Sequence, residues 1–172
     1  MKKLLPIAIL ILAQCLVSCE SDNLEHYDEF IVSLRAWENF KESAKNSYRY
    51  TVNQGSWVGF SSKTTITVES GTITERSFQF TNTGGISSEI PEDELEWTET
   101  ADEIGFHANG AAPLTMDEVY DKAKNDWLRN RTDATPYFET MDNGLISTCG
   151  YVEKGCIDDC FVGIHIESID PL

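Results

Sequence analysis

The feature that most narrows what this chain can fold into is a single change of hydrophobic period near residue 47. Before it, Tyr27, Phe30, Ile31, Leu34 and Trp37 recur at helical spacing, with Phe40 and Ala44 near the same face. That pattern predicts an amphipathic helix over 24–45. After it the period is two: Tyr48, Tyr50 and Val52 alternate with Arg49 and Thr51, and Thr64, Ile66 and Val68 then share one face of a Thr-rich strand. Ser70-Gly71 is a hairpin signal, with the return strand over 72–80. Ile73 is out of step with Phe78 and Phe80, so a β-bulge or a change of packing partner is expected between them.

The rest of the chain continues the antiparallel theme. Residues 81–93, with Gly84-Gly85 and Pro91, read as a loop, and 95–107 as a strand of irregular alternation ended by Asn109-Gly110. Thr115-Met116-Asp117-Glu118 is a capping box opening a second helix, whose buried stripe is Met116, Val119, Tyr120, Ala123 and Trp127. Strands follow over 137–141, 145–152 and 161–169, the first two joined at Asp142-Asn143-Gly144. In the last strand Val162, Ile164 and Ile166 point one way, and Phe161, His165 and Glu167 the other. The expected class is α+β: a single antiparallel sheet of about five or six strands, with two amphipathic helices packed on one face of a domain spanning 24–172.

The front of the chain reads as a targeting segment. Lys2 and Lys3 precede an apolar stretch from Leu4 to Val17, and small Ser18 stands before Cys19. A spanning helix needs about 20 apolar residues, and acidic residues begin at Glu20. Leu16-Val17-Ser18-Cys19 resembles the bacterial lipobox, which implies a signal peptide over 1–18, acylation of Cys19 with chains such as palmitate, and a short tether over 19–23. Each buried methylene contributes about 0.8 kcal/mol, so two or three acyl chains hold a protein at a bilayer where one does not. Glu20, Ser21 and Asp22 resemble the acidic export signal of Bacteroidetes-type surface lipoproteins. The expected location is the bacterial outer membrane, with the lipid bilayer as first partner.

Removing residues 1–18, which carry two lysines and no acid, leaves 11 basic against 29 acidic residues, a net charge of −18. Such a surface repels phosphate backbones, so nucleic acid is not an expected partner. The acidic groupings around 92–103 and 158–159 lack the alternating oxygen pattern of a calcium loop. Of the mature cysteines, Cys149, Cys156 and Cys160 remain besides Cys19. Pairing of the last two strands would bring Cys149 near Cys160 and leave Cys156 free, while a Cys156–Cys160 staple is the alternative. A zinc set with His165 would lack the tight C-x2-C spacing of most structural sites, so no metal or other cofactor is expected.

No catalytic motif is spelled. There is no G-x-S-x-G or H-E-x-x-H, and His26, His107 and His165 are scattered. A Cys156–His165 nucleophile pair is the one hydrolase arrangement to consider. Gln54-Gly55-Ser56-Trp57-Val58-Gly59 sits where cystatin-like peptidase inhibitors carry a Gln-x-Val-x-Gly wedge, with one residue too many. The favoured expectation is a non-catalytic binding or structural module of the envelope, with Trp57 as contact patch for an unidentified protein or ligand.

The order of elements also resembles the bacterial lipoprotein family known as domain of unknown function 6174. The matching residues are Trp37, Tyr48-x-Tyr50, Val68-x-x-Gly71-x-Ile73, Thr115-Met116-Asp117-Glu118, and Tyr137 to Ile146 with Gly144. Members of that family carry cysteines after the Tyr-x-Tyr strand, whereas 53–60 here has none. The resemblance implies a fold and an exported location, and no activity.

Overall fold

The computed structural model describes residues 23–57, 59–84, 90–158 and 160–172. Cys19, and the expected leader and tether up to Asp22, lie outside the described residues. The elements in chain order are α1 (Tyr27–Ser43), β1 (Tyr48–Gly55), β2 (Phe60–Glu69), β3 (Thr72–Thr83), β4 (Glu96–Thr100), α2 (Met116–Lys122), β5 (Ala134–Thr140), β6 (Ile146–Glu153) and β7 (Phe161–Pro171). A π-helical turn, Ala123–Trp127, continues α2.

Among the described residues the strands form one antiparallel sheet of seven, in the order β4-β3-β2-β1-β7-β6-β5. The sheet is wider than the expected five or six. Two meanders, β1 to β4 and β5 to β7, are joined where the last strand lies against the first, with Tyr48 opposite Pro171 and Tyr50 opposite Ile169. The β2–β3 hairpin turns on Ser70 (φ 50°) and Gly71 (φ 82°). Two consecutive left-handed residues make the turn whose twist matches paired strands, and glycine tolerates it without a Cβ clash. The expected bulge is present: Thr67 faces Glu75 while Val68 faces Ile73, which leaves Thr74 as the extra residue. A second bulge skips Glu167, since Thr51 faces Ser168 and Val52 faces Ile166. It changes the parity of β7 so that Ile164, Ile166 and Ile169 are all buried.

Aromatic residues carry the contact between the helices and the sheet. Trp37 of α1 meets Tyr48 edge-on at 5.1 Å and stacks on Tyr120 of α2 at 6.0 Å. Its indole N–H donates to Asp117 at 2.7 Å. Polar handles of the core tyrosines are spent on backbone: Met116 N–H donates to the Tyr48 hydroxyl (2.8 Å), and Tyr50 donates to the Leu114 carbonyl (2.5 Å). The Tyr120 hydroxyl accepts from Ile146 N–H (3.3 Å) and donates to the Ser33 carbonyl (3.2 Å), tying α1, α2 and β6 together. Burial pushes the Tyr48 and Tyr120 phenols up to about 12. The capping box forms, with Glu118 N–H donating to Thr115 Oγ1 and Thr115 N–H to Glu118.

Two expectations need correction here. The strand over 95–107 stops at Thr100 and passes into a 3-10 turn, Ala101–Glu103, because Glu99 is drawn inward and turns the chain that follows it back over the sheet. The bridge is Cys156–Cys160, not Cys149–Cys160. The physical reason is register: Cys149 lies opposite Ile164, on the core face and four residues along β7 from Cys160. At about 3.3 Å per residue that separation is roughly 13 Å, far beyond disulfide reach. Cys149 is a buried free thiol, and burial pushes it up to about 12.

Candidate functional site

Trp57 stands on the β1–β2 connection and is 72% exposed. The β6–β7 connection, with Ile157 98% exposed, lies at the same end of the sheet, since β1 and β6 run parallel to each other on either side of β7. Between these two tips the sheet opens. The ladder between β1 and β7 goes no further than Val52 opposite Ile166, although β1 continues to Gly55 and β7 begins at Phe161. A cavity of about 380 Å³ occupies the helix side of this gap. Another, about 490 Å³, opens towards Ser61, Lys63 and Thr81. Both are lined by Asn53, Gln54, Gly55 and His165, so they are two mouths of one seam.

The cleft on the helix side has small and apolar walls: Gly55, Ala111, Leu114, Trp127, Gly163 and Ile164. None of its described lining residues is acidic, in a chain with 29 acids, and its charged side chain is Lys122. Asn53 Oδ1 is buried there without a hydrogen-bond partner. His165 stacks on Phe161 at 4.2 Å, and its Nδ1 lies 3.2 Å from Thr148 Oγ1. Burial lowers the imidazole below its ordinary value, with Glu139 opposing. Trp57 lines neither mouth and flanks the seam at the hairpin tip.

One wall of the cleft is carried by a buried ion pair that motif reading missed. Arg76 and Glu99 face each other across β3 and β4, 1% exposed each. Arg76 Nη1 donates to Glu99 Oε2 at 3.0 Å, and the other guanidinium nitrogens reach the carbonyls of Ala111 (2.9 Å) and Asn109 (2.6 Å). Glu99 also accepts from Gly105 N–H (2.6 Å), His107 N–H (2.5 Å) and His107 Nδ1 (3.0 Å). Burial alone would raise the Glu99 carboxyl, but those backbone donors, with Arg76 and His107, hold it down at about 2. Trp97 completes the cluster, stacked on His107 at 4.3 Å with Arg76 over its ring at 4.6 Å. Four donors saturate this carboxylate, so it anchors a loop and has no lone pair free for a substrate proton.

That anchoring draws segment 101–114 across the sheet and makes it the cleft wall. Ala111 N–H donates to Thr64 Oγ1 at 2.9 Å. Gly110 (φ 81°) allows the approach, because a Cβ there would stand 2.8 Å from Thr64 Oγ1 and 2.9 Å from the Phe78 ring. A signal for the pair was present in the chain: Arg76 has the parity of Phe78, and Glu99 that of Trp97, which places two charges on the inward face of adjacent strands.

The other candidates are dispersed. Cys156 is bonded to Cys160, which removes the thiol that a Cys156–His165 nucleophile pair requires. His26 lies against Phe138 and His107 against Glu99, both away from His165. Among the described residues no cluster of three or more His, Cys, Asp or Glu is placed to share a metal ion. Compared with protein-family models, curated proteins and solved structures, the chain has no match.

Proposed function

We propose that this chain is a lipid-anchored protein of the bacterial outer membrane, held through acylated Cys19, whose domain is a non-catalytic binding module. The observation that carries the binding part is the seam between β1 and β7: an open cleft whose walls are set in advance. The Cys156–Cys160 bridge ties down the connection leading into Phe161, and the Arg76–Glu99 clasp holds the wall at Asn109 to Ala111. A site built before the ligand arrives loses less conformational entropy on binding. The bridge also supports export, since disulfides persist in oxidising compartments. The lipid anchor is supported by Leu16-Val17-Ser18-Cys19.

Two measurements test the two halves separately. Mass spectrometry of the mature protein should find a diacylglyceryl-modified Cys19 as first residue; an unmodified or internal Cys19 removes the anchor. Affinity capture from envelope extracts, comparing wild type with Trp57→Ala and with a variant altered in the cleft, should lose a specific partner in at least one variant. A partner set unchanged in both would refute the site.

A second reading, a peptidase inhibitor, draws on the exposure of Trp57 and Ile157 at one end of the sheet. Inhibition of papain at micromolar concentration or below, lost on Trp57→Ala, would favour it over the cleft.

A further inference from the structure

β-Strands leave a row of backbone donors and acceptors on any unpaired edge, and natural proteins guard such rows with charge, proline or shortness. The two outer edges of this sheet are guarded. β4 is five residues long with Glu96 exposed, and β5 carries Pro136. The inner edge is not. β7 is paired to β6 from Phe161 onward, while its β1 side is beyond the ladder until Ile166. The residues there, Phe161-Val162-Gly163-Ile164, hold no charge and no proline.

The facing edge is equally bare. Leu172 N–H donates to the Ser47 carbonyl (3.1 Å) and Ser56 N–H to the Phe60 carbonyl (3.0 Å), so odd residues of β1 turn their backbone towards β7 and even ones towards β2. The β1–β2 register is unbroken from Tyr48 to Gly55. Gly55 therefore presents its backbone to the gap at a height where β7 no longer pairs with it. The cleft lies over this gap, and its described lining holds no carboxylate.

We propose that the open edge of β7 over Phe161–Ile164 is a docking site for an extended, uncharged peptide segment of a partner protein, which adds to the sheet as a short strand beside Gly55. Backbone pairing supplies the affinity, and the small walls at Ala111, Ala112 and Gly163 admit side chains of modest size. Lys122 at the rim favours a neutral or acidic residue over a basic one next to the segment. The inference rests on the binding-module reading and narrows it to one mode.

The test uses the full chain in detergent micelles, panned against a phage-displayed library of random dodecapeptides. Recovered peptides are synthesised with and without N-methylation at alternate residues, and affinities are measured for wild type, Gly55→Glu and Trp57→Ala. A Cβ at Gly55 meets nothing closer than 3.9 Å, so Gly55→Glu keeps the fold and places a charge on the bare edge. Strand addition predicts that N-methylation in one of the two alternating phases, and Gly55→Glu, each weaken binding by about tenfold or more, the loss of roughly one well-formed hydrogen bond. It also predicts slowed amide exchange at Phe161–Ile164 on saturation. Peptides indifferent to methylation and to Gly55→Glu but lost on Trp57→Ala would overturn strand addition while leaving a binding module. No peptide recovered above a blank surface overturns the docking site, with the Cys19 anchor judged apart by mass. A consensus matching the chain's own strands, with concentration-dependent dimerisation, would assign the edge to a second copy and overturn the partner.

Discussion

The Arg76 guanidinium and the Glu99 carboxylate meet at 3.0 Å inside the protein, and through them segment 101–114 is held across the sheet. Removing one partner leaves the other as an uncompensated buried charge, which costs about 3–5 kcal/mol. Glu99→Gln is expected to lower the free energy of urea unfolding by an amount in that range. Arg76→Met with Glu99→Leu should cost less than the sum of the two single changes, because neither charge remains. A double-mutant cycle that came out additive would show the two groups to be independent.

The same pair sets a pH dependence. Glu99 titrates at about 2 in the folded chain against 4.5 as reference, so the unfolded state binds the proton more readily. Its contribution is fully present above about pH 4.5 and is lost as the pH falls towards 2. Thermal midpoints of the wild type are expected to drop across that window more steeply than those of Glu99→Gln. Parallel curves would remove Glu99 as the acid-sensitive group.

The cysteines should separate by chemistry. Cys149 is fully buried with its thiol pushed up to about 12, so iodoacetamide should leave it unmodified in the native protein and label it in urea. Mapping without reduction should find Cys156 and Cys160 linked. Closing a loop of about five residues contributes roughly 2 kcal/mol on the chain-entropy model, so Cys156→Ser with Cys160→Ser should fold with a modest loss. Unfolding of that variant at room temperature would mean the bridge does more than close its own loop.

Gly110→Ala should be worse than its size suggests. The position needs a left-handed backbone and has Thr64, Phe78 and Arg76 where a Cβ would go. We expect about 1–3 kcal/mol of destabilisation and faster amide exchange through 105–112. Unchanged exchange would show that the wall does not depend on the close approach.

Loss of the helix cap gives a smaller, local effect. Thr115→Ala removes the acceptor for Glu118 N–H and is expected to cost about 1 kcal/mol, while Thr115→Ser restores most of it. Far-ultraviolet circular dichroism with urea titration reads both. Equal stability of the Ala and Ser variants would assign the cap no net role.

Local patterns were legible wherever one residue's neighbours in sequence are also its neighbours in space. The helix around Trp37, the capping box at Thr115, the turn at Ser70-Gly71 and the bulge near Thr74 each involve contacts within a few residues, and each is present. The inward faces of β1 and β2 were readable for the same reason. The Cys149–Cys160 pairing failed because pairing two strands does not set their register, and a shift of a few residues moves a sulfur by more than a disulfide can span. The strand expected to reach His107 stopped early because Glu99 finds its donors in residues 105–107 and in Arg76, a partner on another strand.

The sequence by itself determined the α+β class, the antiparallel hairpins, the caps, the strongly acidic character and the expectation of an anchor at Cys19, since periodicity, turn chemistry and charge are properties of short stretches. Only the tertiary structure decided that β7 lies between β1 and β6, that its ladder with β1 ends at Val52, and that the seam left open is walled by a loop tied to Arg76. Those outcomes depend on which distant backbone and side-chain groups satisfy one another once water is excluded, and no local pattern encodes that choice.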